Sequence, residues 1–126
     1  MTELSGHALR LTVIVGEDDV HVHRPVYTEV VVRAREAGLA GATVVRGIEG
    51  YGRRSLVHTS RIVSLSNDLP VVITIIDDDA KIRAFLPQIS ELVKGGIMTL
   101  EDVAVLQYVG SHEPPAGESR PGDQGR

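Results

Sequence analysis

The chain has 126 residues, no cysteine, and a net charge of −4 from 13 Lys plus Arg against 17 Asp plus Glu. That length suits a single domain, and the missing thiols exclude a disulfide framework, a cysteine nucleophile and any cysteine metal site. The acidic balance, with one Phe, three Tyr and no Trp, excludes general nucleic-acid binding, which needs an extended basic face or stacking platforms.

Met1–His7 is expected to be a loose leader. From Ala8 to Val15 the residues alternate, with Leu9, Leu11, Val13 and Val15 on one side, which predicts a strand. Gly16-Glu17-Asp18-Asp19 ends it. Pro25 suits the first turn of a helix, Val26, Val30, Ala34 and Ala37 recur at helical spacing, and Gly38 suits the C-terminal cap. A β-branched run predicts a second strand over about Ala42–Ile48. Val57–Leu65 alternates only weakly and is expected to be an extended arm. Asn67-Asp68 signals a turn, and Pro70 can begin the nearly continuous apolar strand Val71–Ile76. Asp77-Asp78-Asp79 opens a second helix, where carboxylates cap free N–H groups and oppose the helix dipole without need of Mg²⁺. Its apolar stripe is Ile82, Phe85, Leu86, Ile89, Leu92 and Val93, with Pro87 predicting a kink or restart and Gly95-Gly96 the stop. A last strand is expected over about Val103–Val109.

Beyond Gly110 the composition turns to Gly, Pro, Ser, Glu and Arg, which predicts a disordered tail over 111–126 and a folded domain over 8–110. No apolar run approaches the roughly 20 residues of a membrane span, and the N-terminus has no signal-peptide layout, so a cytoplasmic location is expected. The order β-α-β-loop-β-α-β implies an α+β ferredoxin-like sandwich, a four-stranded antiparallel sheet with two helices on one face. Val71/Ile73/Ile75 and Val72/Ile76 are both apolar sets, and so are Val103/Val105/Val109 and Ala104/Leu106. The uncovered face is therefore expected to be apolar and to pack against further copies of the chain.

The segment carrying most chemical information joins the second strand to the arm. Between Arg46 and Arg61 lie four arginines (Arg46, Arg53, Arg54, Arg61) and one acid, Glu49, a charge of +3 that leaves −7 for the rest of the chain. Positive charge gathered on one glycine-bearing loop of an acidic protein points to an anion or an acidic partner. Gly47, Gly50 and Gly52 let backbone N–H groups approach such a ligand. Tyr51, Arg53, Arg54 and His58 complete the candidate set, and Gly50-Tyr51-Gly52 is equally the sequence of a plain turn. Arg46, on the strand before the loop, is the best-fixed guanidinium, and a planar fork grips phosphate or carboxylate with two parallel hydrogen bonds.

Ala34-Arg35-Glu36-Ala37-Gly38-Leu39-Ala40-Gly41-Ala42-Thr43-Val44-Val45-Arg46-Gly47-Ile48-Glu49-Gly50-Tyr51-Gly52, followed by His58-Thr59 and Leu69-Pro70-Val71-Val72-Ile73, resembles the P-II-like family known as domain of unknown function 190. The resemblance covers about Leu9 to Leu106. It implies a trimer of ferredoxin-like subunits with sheets facing inward and a long loop after strand two. It also implies nucleotides or small effectors in the subunit clefts near the loop base, and a loop that docks on a partner. The partner class it implies is a membrane transporter or channel such as a fluoride exporter. P-II proteins also hold phosphates with a glycine- and lysine-bearing connection before the last strand; the counterpart here is Lys94-Gly95-Gly96-Ile97-Met98-Thr99, with one cation.

Two other readings stand beside that of a non-enzymatic regulator. His21-Val22-His23 would put two imidazoles on one side of an extended segment, and with Glu17, Asp18 and Asp19 would suit a metal- or ion-responsive protein of CutA-like architecture. A small enzyme acting on a phosphorylated substrate would use the arginine loop as a clamp and His58 as general base. Ser55, His58 and Asp68 supply triad residue types, but no nucleophile turn surrounds any serine.

Overall fold

The computed structural model describes residues 6–51 and 68–108. Period-two alternation produces the longest strand, β1 (Gly6–Gly16), in which Leu9, Leu11, Val13 and Val15 are buried and Arg10, Thr12 and Ile14 are part-covered. β1 starts two residues before Ala8, so Gly6 and His7 belong to the sheet. A small hairpin follows, β2 (Val20–His21) and β3 (Arg24–Pro25). Then come α1 (Val26–Glu36), β4 (Thr43–Arg46), β5 (Pro70–Asp77), α2 (Asp79–Ile89) and β6 (Ile97–Val105). The main sheet has the order β4-β5-β1-β6 with every pair antiparallel, the ferredoxin-like arrangement that the element order implied.

Each helix buries the stripe its spacing dictates: Val26, Val30 and Ala34 from α1, and Ile82, Phe85 and Ile89 from α2. They meet Leu11, Val13, Ile73 and Ile75 of the two central strands in one core. Full burial of each such side chain contributes about 1.5–3 kcal/mol before conformational entropy is deducted. Past α1, Gly38 takes a positive φ of 80° and the Leu39 N–H donates to the Ala34 carbonyl, closing the helix as glycine C-caps do.

The run Asp77-Asp78-Asp79 divides into three jobs. Asp78 is the N-cap of α2, its carboxylate accepting from the Lys81 N–H at 3.0 Å. Asp79 pairs with Arg83 one turn on. Asp77 ends β5, 1 % exposed, and accepts from the Ala40 and Asp78 N–H groups at 2.9 and 2.7 Å. Capping accounts for one of the three.

Three expectations need correction. α2 runs through Pro87 and stops two residues later at Ile89, without a restart; Leu92 and Val93 still pack on the core from the turn beyond it. Pro87 has no N–H to donate to the Arg83 carbonyl and its ring crowds that preceding turn; the helix then ends at Ile89 in place of the expected restart. The last strand is Ile97–Val105 and not Val103–Val109, because pairing along the full length of β1 outweighs local composition: Ile14 faces Ile97, Val13 faces Met98 and Leu11 faces Leu100.

The open face, finally, is striped and not apolar throughout. Register aligns Val45, Val72, Ile14 and Ile97 in one aliphatic row across all four strands. The next row is Thr43, Thr74, Thr12 and Thr99, and beyond it Arg10 pairs with Glu101 at 2.6 Å beside Ile76. Val71, Ile73 and Ile75 all turn to the helices. The expected arm (57–65) and tail (111–126) lie outside the described residues.

Candidate functional site

Antiparallel pairing carries the ends of β1 and β4 and the starts of β5 and β6 to one edge of the sheet: Gly16 faces Pro70, Arg46 faces Val71, and Ile14 faces Ile97. This is where the arginine-bearing segment begins, after Arg46. Two backbone hydrogen bonds tie its base, from the Glu17 N–H to the Leu69 carbonyl at 2.8 Å and from the Gly47 N–H to the Pro70 carbonyl at 2.7 Å. Close approach demands glycine at two of these positions. A Cβ on Gly47 would lie 2.9 Å from the Pro70 ring, and one on Gly16 would lie 2.6 Å from both Asp68 carboxylate oxygens. Asp68 itself accepts from the Asp18 N–H at 2.8 Å, and Asp19 accepts from the Gly16 N–H at 3.0 Å.

Arg46 is the last residue of β4, on the helix-facing side in line with Val71 and Val15. Its Nε lies 3.2 Å from the Glu17 carboxylate; the Arg46 side chain is 61 % exposed and that of Glu17 28 %. Gly47 and Gly50 both lie against Pro70, so the structure brings Arg46, Gly47 and Gly50 together. Tyr51 is exposed. Gly52, Arg53, Arg54 and His58 lie outside the described residues. Sequence reasoning assigned no role beside Arg46 to Glu17 or Asp68. Glu17-Asp18-Asp19 carries a readable strand-end signal, but its proximity to Arg46 follows from β4 and β1 flanking β5, which no local pattern encodes.

The two histidines are differently placed from the expectation. His21 pairs with Arg24, and Val22 and His23 form the two-residue connection with φ of 45° and 71°. The segment is therefore a tight turn and not extended, since so short a hairpin loop needs positive φ at both central residues. Among the described residues no three His, Cys, Asp or Glu side chains come together as metal ligands. The hairpin is held to α1 by Arg24, 3.4 Å from Glu29, whose other oxygen accepts from Arg33 at 2.8 Å. The Arg33 hydrogen bond holds the Glu29 carboxyl below its usual value, Arg24 assists, and partial desolvation opposes them.

The connection preceding the last strand is displaced from the expectation: α2 ends at Ile89 and Ile97, Met98 and Thr99 lie within β6, so it runs from Ser90 to Gly96. Of the expected segment only Lys94-Gly95-Gly96 remains in it. Gly95 has a φ of 82°, and a Cβ on Gly96 would lie 2.4 Å from the Ile14 carbonyl oxygen, so these glycines are required by the close passage beside β1.

Comparison with known proteins places this geometry in a family. The model of domain of unknown function 190, described as an uncharacterized ACR, matches residues 8–105. A UPF0166 protein of Aquifex aeolicus (strain VF5) is 41% identical over 99 residues, covering 76% of this chain and 90% of that protein. A UPF0166 protein of Methanocaldococcus jannaschii is 32% identical over 98 residues, covering 77% and 90%. Among solved structures, CPII of Thiomonas intermedia K12 bound to ADP, AMP and acetate superposes with a TM-score of 0.59 at 14% identity, covering 83% of this chain and 94% of that one. A putative PII-like signaling protein of Thermus thermophilus gives a TM-score of 0.53 at 17% identity, covering 79% and 90%.

Proposed function

Since this chain belongs to the domain of unknown function 190 family and has a P-II-like fold, we propose that it is a regulatory protein whose anionic effector docks at Arg46. The observation carrying this reading is the placement of Arg46: the final residue of a paired strand, at the base of the loop, with its guanidinium largely exposed. A strand end holds the fork better than a loop tip would, which suits bidentate recognition of phosphate. A phosphorylated effector of the adenine nucleotide class is the ligand proposed, because CPII, of the same fold, was solved with ADP and AMP. Lys94 is the one cation of the connection preceding β6, at the same strand end as Arg46 but on the far side of the sheet, with β5 and β1 between β4 and β6.

The effector would act through its differential affinity for two arrangements of the Glu49–Thr59 segment, since a ligand biases an equilibrium only by that difference. Arg53 and Arg54 would then meet an acidic partner protein, a membrane transporter or channel being the class that the family resemblance implies. The assembly proposed is a homotrimer with the sheets inward. Its support is the aliphatic row Val45, Val72, Ile14 and Ile97, whose two outer members are about half exposed in the single chain.

Calorimetric titration of the full chain with ADP tests the reading. Replacing Arg46 by Ala should weaken binding by about 1.5–3 kcal/mol, the range for a hydrogen bond to a charged group, while the free protein loses no more than about 1 kcal/mol of stability, the upper value for an exposed ion pair. ADP affinity indifferent to Arg46 would remove the basis of the proposal. Light scattering should give three times the chain mass, and a stable monomer would exclude the inward-facing trimer.

A further inference from the structure

The guanidinium proposed to receive an anion already holds one. Glu17 sits 3.2 Å from Arg46 Nε, and it is fixed there by its own backbone, whose N–H donates to the Leu69 carbonyl at 2.8 Å. Glu17 opens the run Glu17-Asp18-Asp19, and Asp68 joins that run through the Asp18 N–H. The loop base is therefore acidic on the β1 side, although the loop it supports carries the chain's excess of positive charge. Any anion approaching Arg46 meets a carboxylate already in place and further carboxylates behind it.

We propose that Glu17 is a built-in competitor for the anion at Arg46, biasing the site toward multiply charged ligands. The inference rests on the reading of Arg46 given above. Its logic is an exchange. A monocarboxylate that displaces Glu17 trades one carboxylate on the guanidinium for another, gains nothing at that contact and meets repulsion from the displaced side chain. A di- or polyphosphate brings more charge and more acceptor oxygens than it displaces, so the exchange runs in its favour. The pair is solvent-exposed on the Arg46 side, which keeps the bias small: exposed ion pairs contribute about 0.2–1 kcal/mol, equivalent to roughly 1.4- to fivefold in affinity. Such a pair breaks readily for a strong ligand and still handicaps a weak one by that factor. It also gives binding a structural consequence, because a released Glu17 loosens the contact between the end of β1 and the end of β4, on which the loop is mounted.

The test is a double-mutant cycle on the full chain, with ADP as the probe and calorimetry at low salt as the readout, using E17Q, R46A and the double variant. Gln keeps the length and shape of Glu, and the backbone bond to Leu69 is untouched, so folding should be preserved; E17A serves as a second variant. Expected is an ADP affinity tightened about 1.4- to fivefold by E17Q, an advantage lost when Arg46 is also Ala and reduced by added salt. ADP binding that depends on Arg46 but is unchanged or weakened in both E17Q and E17A would overturn the competitor role while leaving the Arg46 reading intact. ADP binding that is absent, or that ignores R46A, would overturn the reading of Arg46 and the competitor with it. Tightening by E17Q that persists undiminished in the R46A background would also overturn the inference, because Glu17 would then act by general repulsion and not by occupying the guanidinium.

Discussion

β5 carries an aspartate at or beside each end, and each accepts backbone N–H groups from another segment, but in opposite surroundings. Asp77 at the C-terminal end is buried and fastens the α1–β4 connection to the sheet through Ala40. Asp68, just before the N-terminal end, is only part-covered; it faces Gly16 and steadies the Glu17-Asp18 corner beneath the loop. Burial makes the first bond costly to lose, since water cannot replace it, whereas solvent can substitute for the second. One end of the strand is thus committed to holding the fold. The other is organised by bonds weak enough to be exchanged, which is what a ligand-responsive site requires.

The largest expected effect tests the rigid end. Asp77→Ala leaves the Ala40 and Asp78 N–H groups without their acceptor and should destabilise the protein by about 3 kcal/mol in urea denaturation. If Asp68→Ala proves equally costly, the contrast between the ends fails. Gly16→Ala should cost about 1–2 kcal/mol, because its Cβ would meet the Asp68 carboxylate at 2.6 Å and the aspartate must move. In the Asp68→Ala background that cost should largely vanish, and an undiminished cost would place the conflict in the backbone instead. The smallest effect is a gain. Val22, a β-branched residue at φ 45°, sits in the hairpin at the loop-base end, and Val22→Asn should stabilise by about 1 kcal/mol, relieving left-handed strain. A loss of stability would mean that this turn is not strained and that the loop-base end is as well fitted as the other.

Much of the fold was legible because its signals are local. Leu9 to Val15 alternate, Ile82, Phe85 and Ile89 recur at helical spacing, and both patterns became buried faces. Boundaries failed where a partner decided them. Ile97–Leu100 is strand because β1 lies beside it, and Leu92 and Val93 are core residues outside any helix because the chain turns back over the sheet. Of the candidate site, Arg46 and the glycines were legible from charge and composition. Glu17 was legible only as a candidate metal ligand, and its pairing with Arg46 was not, since no local pattern shows which strand end it meets.

Periodicity and glycine placement determined by themselves that this chain makes a βαββαβ sandwich, and the charge pattern that an arginine-rich segment follows β4, because each depends on residues within a few turns of one another. The tertiary structure alone decided the rest. Strand order placed Glu17 against Arg46 and Asp68 against Gly16, register laid four threonines between an aliphatic row and an ion pair, and the tight turn at Val22-His23 broke the extended segment that would have put His21 and His23 on one side. Those outcomes depend on which strands become neighbours and in what register, and that is settled by burial of the whole core and not by any segment of it.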